Sequence, residues 1–274
     1  GTNNVCIGST AGDAITEGDY NVAVGDNALT TNTTADNNTA VGANALLYNT
    51  TGGANTAVGL SALSSNTTAS SNTAVGNQAL AANTTAANLV AIGRGALESN
   101  TTGPYNTAVG YNCLDANTTG DYNTAVGHLA LTAETTGQAN DCFGYKAGAT
   151  ITTAASNVCF GSFSMDSGAA QTGGGNTAIG HASSRSLTSG YNNSACGLQT
   201  LYAISTGVNN TAIGANAGAN ITSGSNNQCI GTESGKANNP GGSITTASGQ
   251  IVVGNADSTN AHIQIDWTVA SDKR

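Results

Sequence analysis

Charge is scarce in this 274-residue sequence: 8% of residues are Asp, Glu, Lys or Arg, against about 25% in an ordinary globular domain. Aromatics make up 4%, and there are two prolines, one Trp and one Met. So little Pro and charge argues against disorder, which combines low hydrophobicity with an abundance of both. Before the final Lys273-Arg274 the basic residues are Arg94, Lys146, Arg185 and Lys236, and the net charge is −9. Such a surface repels phosphate backbones, so nucleic acid is not an expected partner. No apolar run approaches the roughly 20 residues of a membrane span, so membrane insertion is not expected either. The three histidines are dispersed, CxxC spacing is absent and no acidic pair recurs. Nothing therefore calls for a metal, a cofactor or a catalytic centre, and the chain reads as a non-enzyme.

What fills the sequence is Asn, Thr, Ala, Ser and 37 glycines in strict order. Tripeptides such as AVG, AIG and CFG end on Gly8, Gly25, Gly42, Gly59, Gly76, Gly93, Gly110, Gly127, Gly144 and Gly161, each 17 residues after the last. Gly180 follows after 19, Gly197, Gly214 and Gly231 after 17 each, and Gly254 after 23. The consensus is N-T-A-V-G-x-x-A-L-x-x-N-T-T-G-x-x. This period is too short for a helical-hairpin repeat or a propeller blade and suits one coil of a parallel β-solenoid. The fold class is all-β, with each coil expected to hold two short strands and two turns. Residues 1–249 form the repeat region, and residues 250–274 form a β cap with a junction. Gly1 enters mid-repeat, which suggests further chain upstream.

In N-T-A-V-G, Thr and Val share one face and Ala the other. The larger Thr and Val are expected to face the core, leaving the Ala face for a neighbouring layer. The leucines at 29, 46, 63, 80, 97, 114 and 131 recur in phase and should stack as an aliphatic ladder. Asn at 32, 49, 66, 83, 100 and 117 invites an amide ladder, although each Asn-Thr-Thr also matches a glycosylation sequon. Fourteen intervals of about 4.8 Å give a rod of roughly 65–70 Å. The anchor glycines Gly25, Gly42, Gly59, Gly76, Gly93, Gly110 and Gly127 should supply positive φ or close backbone approach. The six cysteines replace Ala or Val in phase and read as small buried hydrophobes.

Candidate contact residues stand on the outside. Tyr105 and Tyr122, with Tyr20, lie five residues before an anchor Gly, and exposed rings among Asn and Asp suit sugar binding. Packing over the turn is the plainer alternative. The irregular gaps Ser162–Gly175, with Phe163 and Met165, and Thr232–Gly249, with Asn238-Asn239-Pro240-Gly241-Gly242, should project as loops. Phe163 joins the two tyrosines as a candidate glycan contact.

After Gly254 the pattern alternates through Ile263, Ile265, Trp267 and Val269, as in a half-buried capping strand. The ending His262–Arg274 (HIQIDWTVASDKR) resembles the junction before the self-cleaving intramolecular chaperone of bacteriophage tail fibres and endosialidase-type tailspikes. The resemblance covers about a dozen residues, and it implies trimeric folding and cleavage beside Ser271-Asp272; Lys273 and Arg274 still follow that pair. The NTAVG coils are similar to the heads of trimeric autotransporter adhesins, departing in their longer period and in Thr for the first Val. Both resemblances imply a homotrimeric, extracellular-facing adhesive rod. The expected function is a receptor-binding shaft of a phage tail fibre on the virion, attaching to host cell-surface glycans or proteins. The alternative is a bacterial cell-surface adhesin or filament subunit. An ice-binding solenoid ranks lower, because Thr and Val are expected to point inward.

Overall fold

The computed structural model describes residues 1–236 and 242–258. Its fifteen strands of three residues each, from β1 (Val5–Ile7) to β15 (Ile251–Val253), form a single parallel sheet in sequence order. Each pairs with the next at matching phase, as in Ala40↔Ala57 and Ala57↔Ala74. The protein is a parallel β-solenoid with one strand per rung. The expected second strand does not form. The Ala-Leu segment is a turn in which the ladder leucines adopt φ of 51–55°, a left-handed conformation that cannot continue a strand. Those turns still stack by backbone hydrogen bonds from rung to rung, Leu46 N donating to Ala62 O at 3.0 Å and Leu63 N to Ala79 O at 3.0 Å. Neighbouring rungs thus satisfy backbone groups that a lone coil would leave unpaired.

The polarity of the strand is the reverse of the expectation. Ala23, Ala40, Ala57, Ala74, Ala91, Ala108 and Ala125 are fully buried, while their Thr and Val neighbours face outward. Thr and Val are therefore not core residues. The interior is filled by this Ala, a second Ala three residues after the anchor Gly, and the leucine ladder, all solvent-free. The strand turns its smallest side chain toward an interior that Leu and Asn already line.

Two asparagine columns complete the lining. Asn66 Nδ2 donates to Asn49 Oδ1 at 2.7 Å and to Ala69 O at 3.0 Å, and Asn117 repeats this with Asn100 and Gly120. Asn38, Asn55 and Asn72, four residues before the anchor Gly, accept the next rung's backbone N–H and donate across their own coil to the same carbonyls. All are buried. The sequon asparagines are thus ladder members, with no room for a sugar while the coil is folded.

Past Asn117 this ladder changes character. Glu134 takes the next position, followed by Ile151, Gln171, Leu187, Ile204 and Ile221, all buried. Where Ile stands here, Leu is often missing: Gly148 pairs with Ile151 and Gly218 with Ile221. A Cβ on Gly148 would come within 3.0 Å of Ile151 Cδ1, and one on Gly218 within 3.1 Å of Ile221 Cδ1. The isoleucine occupies the space the leucine vacates.

Cys113, Cys142, Cys159 and Cys229 are buried thiols, as their phase implies. Burial pushes Cys113 up to about 12 and Cys229 to about 11, so neither is a nucleophile at neutral pH. Cys6 and Cys196 correct the expectation. Cys6, in register with Ala23, and Cys196, which replaces an outward Val, are both exposed.

Candidate functional site

The anchor glycines hold the geometry on which every surface feature depends. Gly25, Gly42, Gly59, Gly76, Gly93, Gly110 and Gly127 have φ of 132–145°, a region L side chains avoid. A Cβ on any of them would lie 2.3–2.6 Å from the carbonyl oxygen of the next anchor Gly. Both reasons offered by the sequence therefore apply together.

Beside that column the outward side of the sheet carries an unbroken apolar row. Ile7, Val24, Val41, Val58, Val75, Ile92, Val109, Val126, Phe143, Phe160, Ile179, Cys196, Ile213, Ile230 and Val253 all precede an anchor Gly. The flanking outward column is Thr at seven of fifteen rungs and is broken by Asp141 and Gln228. Monomeric proteins rarely expose contiguous apolar patches beyond a few hundred Å², whereas this row runs the length of the rod.

Tyr105 and Tyr122 come together as expected. Their rings stack at 5.0 Å with 11° between planes, both are exposed, and both sit at left-handed φ (61° and 56°). Tyr20 shares the phase but has Asn3 and Asn37 on adjacent rungs. Asn, which tolerates left-handed φ, is common at this phase. Replacing Tyr122 by Asn is accordingly expected to shift stability by no more than about 1 kcal/mol in urea titration, leaving any loss of ligand binding to be read as recognition.

Phe163 joins a different group. The position one or two residues after the anchor Gly carries Arg94, Tyr111, His128, Tyr145, Phe163 and His181 on six consecutive rungs. Tyr111 and His128 stack at 5.1 Å and 13°, and His128 and Tyr145 at 5.4 Å and 24°. Phe163 meets Tyr145 edge-on at 5.0 Å and 89°, and His181 at 5.8 Å and 75°. The Arg94 guanidinium lies 5.4 Å from the Tyr111 ring and donates to its hydroxyl at 3.0 Å. Lys146 covers Tyr145 at 5.8 Å and Arg185 covers Phe163 at 5.2 Å. Sequence reasoning singled out only Phe163 of this group. The missed signal was one phase of the repeat carrying rings or cations on successive coils.

The Ser162–Gly175 gap does project, with Gly168, Ala169 and Ala170 exposed. It walls a cleft of about 420 Å³ lined by Lys146, Asp166, Ser167, Gly168, Arg185, Ser186 and Tyr202. In the second gap, Asn238-Asn239-Pro240-Gly241 lie outside the described residues; so do Ile263, Ile265, Trp267, Val269 and the Ser271-Asp272 junction. Among the described residues no group of three or more His, Cys, Asp or Glu could hold a metal ion. No helix among them is long and apolar enough to cross a membrane.

Comparison with protein-family models and with curated proteins finds no match.

Proposed function

We propose that this chain is a shaft segment of a phage tail fibre, three copies of which associate along the outward apolar row and present a receptor-binding surface to the host envelope. The observation that carries the reading is that row: it is continuous over fifteen rungs on a rigid sheet, and burying it between chains removes β-branched and aromatic side chains from water. The number three and the virion setting rest on the likeness of the ending to a tail-fibre chaperone junction. Weak contacts to surface glycans or proteins, repeated over three chains, would sum to firm attachment. A bacterial surface adhesin would use the same seam and differ in its anchor.

The test is solution mass by light scattering, with alkylation of Cys196 read by peptide mapping. A three-chain particle is expected in which Cys196 is protected, while the same thiol reacts after Val58→Glu and Val75→Glu dissociate the particle. A folded monomer with reactive Cys196 would overturn the shaft.

A second reading gains from the corrected polarity, because Thr-x-Val ladders now face solvent from Thr39–Val41 to Thr124–Val126. This is the arrangement an ice-binding face would need. Against it, Val90 interrupts the Thr column there, and beyond it stand Asp141 and the rings of Phe143 and Phe160. Thermal hysteresis shown by the folded monomer would favour this reading, and its absence removes it.

A further inference from the structure

We infer that the Arg94–His181 ladder and the adjoining cleft form a binding site for an extended anionic polysaccharide. The inference deepens the adhesive reading by naming the ligand chemistry, but the site lies within one chain and does not require a trimer.

Three of the four Lys and Arg residues that precede position 273 gather here, in a chain of net charge −9. Arg94 stands at one end of the ladder, while Lys146 and Arg185 both cover ladder rings and line the cleft. Among the described residues none of the three is in an ion pair. Asp166 also lines the cleft, but with two cations opposite one carboxylate the balance remains positive.

The rings determine what can bind beside these cations. Tyr111, His128 and Tyr145 spend their faces on one another, so their edges, with two phenol hydroxyls and an imidazole, are what they offer outward. Ring edges carry the positive end of the aromatic quadrupole, and the polar groups are donors for hydroxyl and carboxylate oxygens. All three side chains are exposed. At Phe163 the stack turns edge-on beside the cleft, where the two-residue insertion opens the wall. The result is a strip of donors ending in a pair of cations, with a rung spacing of about 4.8 Å that is similar to one sugar unit of an extended chain. A neutral glycan would leave the cations unused, and a compact anion would leave the strip unused. An acidic glycan strand uses both.

The experiment measures affinity of the recombinant chain, at low and moderate salt, for oligogalacturonate hexamer, heparin hexasaccharide, maltohexaose and a dT hexamer. Light scattering on the same samples reads the oligomeric state. Binding of either acidic sugar, weakened by salt and absent with maltohexaose, is expected. Preference between the two distinguishes carboxylated from sulfated sources. Lys146→Gln and Arg185→Gln should each weaken it by about tenfold, as for loss of a charge-assisted hydrogen bond, with particle mass unchanged. Lys236→Gln, which removes the one cation before position 273 that lies outside the ladder and cleft, should bind like wild type. Equal binding of maltohexaose, no binding of either acidic sugar, or indifference to both substitutions would overturn the inference. Tighter binding of the dT hexamer would overturn it in favour of a nucleic-acid groove. Loss of the trimer with glycan binding intact would instead remove the shaft and leave this site standing.

Discussion

Raising the pH from 5 to 8.5 is expected to cost the solenoid about 3–4 kcal/mol through Glu134, and Glu134→Gln should abolish most of that loss. Glu134 continues the column of ladder asparagines but carries a carboxyl where they carry an amide. It is fully buried, its Oε1 accepts the Gly137 N–H, and its Oε2 has no partner. Burial pushes this carboxyl from its ordinary 4.5 up to about 8, against the smaller opposing effect of the backbone N–H groups of Gly137 and Thr136. The folded state therefore holds a proton that the unfolded chain releases between these two values. Below about 4.5 the group costs nothing; through the window from 4.5 to 8 stability falls as pH rises, and above 8 the loss levels off. Gln keeps the size and never ionises. Urea unfolding of wild type and variant across this range is the measurement, and parallel curves would refute the assignment. Glu134→Asn should stabilise further at neutral pH, since Asn at this phase donates to the preceding Asn and to the carbonyl three residues on.

Gly110→Ala should be more damaging at all pH values, with a loss of about 3–5 kcal/mol. Two independent penalties meet at this position. The backbone has φ of 145°, and a Cβ would sit 2.4 Å from the Gly127 carbonyl oxygen, which is backbone and cannot rotate away. Relief requires two rungs to separate, and separation breaks the stacking on which each rung depends. Gly168→Ala is the matched control. Its φ is also positive, at 73°, but nothing lies within 4 Å of the added atom, so its cost should stay near 1 kcal/mol. Thermal or urea unfolding compares the two. Similar losses would mean that conformational strain, not rung contact, keeps glycine at the anchor phase.

The two substitutions test features of different legibility. The anchor glycines could be read from spacing alone, because a residue type recurring every 17 positions must meet the same constraint each time. The leucine and asparagine ladders were legible for the same reason: a strict period stacks like on like, and amides stacked in register satisfy one another. Glu134 falls on the Asn phase, yet spacing does not say that its carboxyl is buried and lacks one partner. That depends on how tightly the coil closes around it.

The orientation of Thr-Ala-Val was misread because alternation says only that two faces differ, and the larger apolar side chains were assigned to the inside. Asn38 and Ala40 share a parity, so the buried Asn column held the correct answer. The aromatic–cationic ladder was missed for a related reason. Arg94, Tyr111, His128 and Tyr145 are unlike in chemistry and 17 residues apart, and only coil stacking makes them neighbours. By itself the sequence determined the coil length, the parallel sheet, the anchor glycines and the stacked Leu and Asn columns, since these follow from periodicity and from backbone groups that must be paired. Which face turned inward, that the second segment was a turn, and which surface residues met were decided by the tertiary structure. All three depend on the small volume that a closed 17-residue coil can enclose.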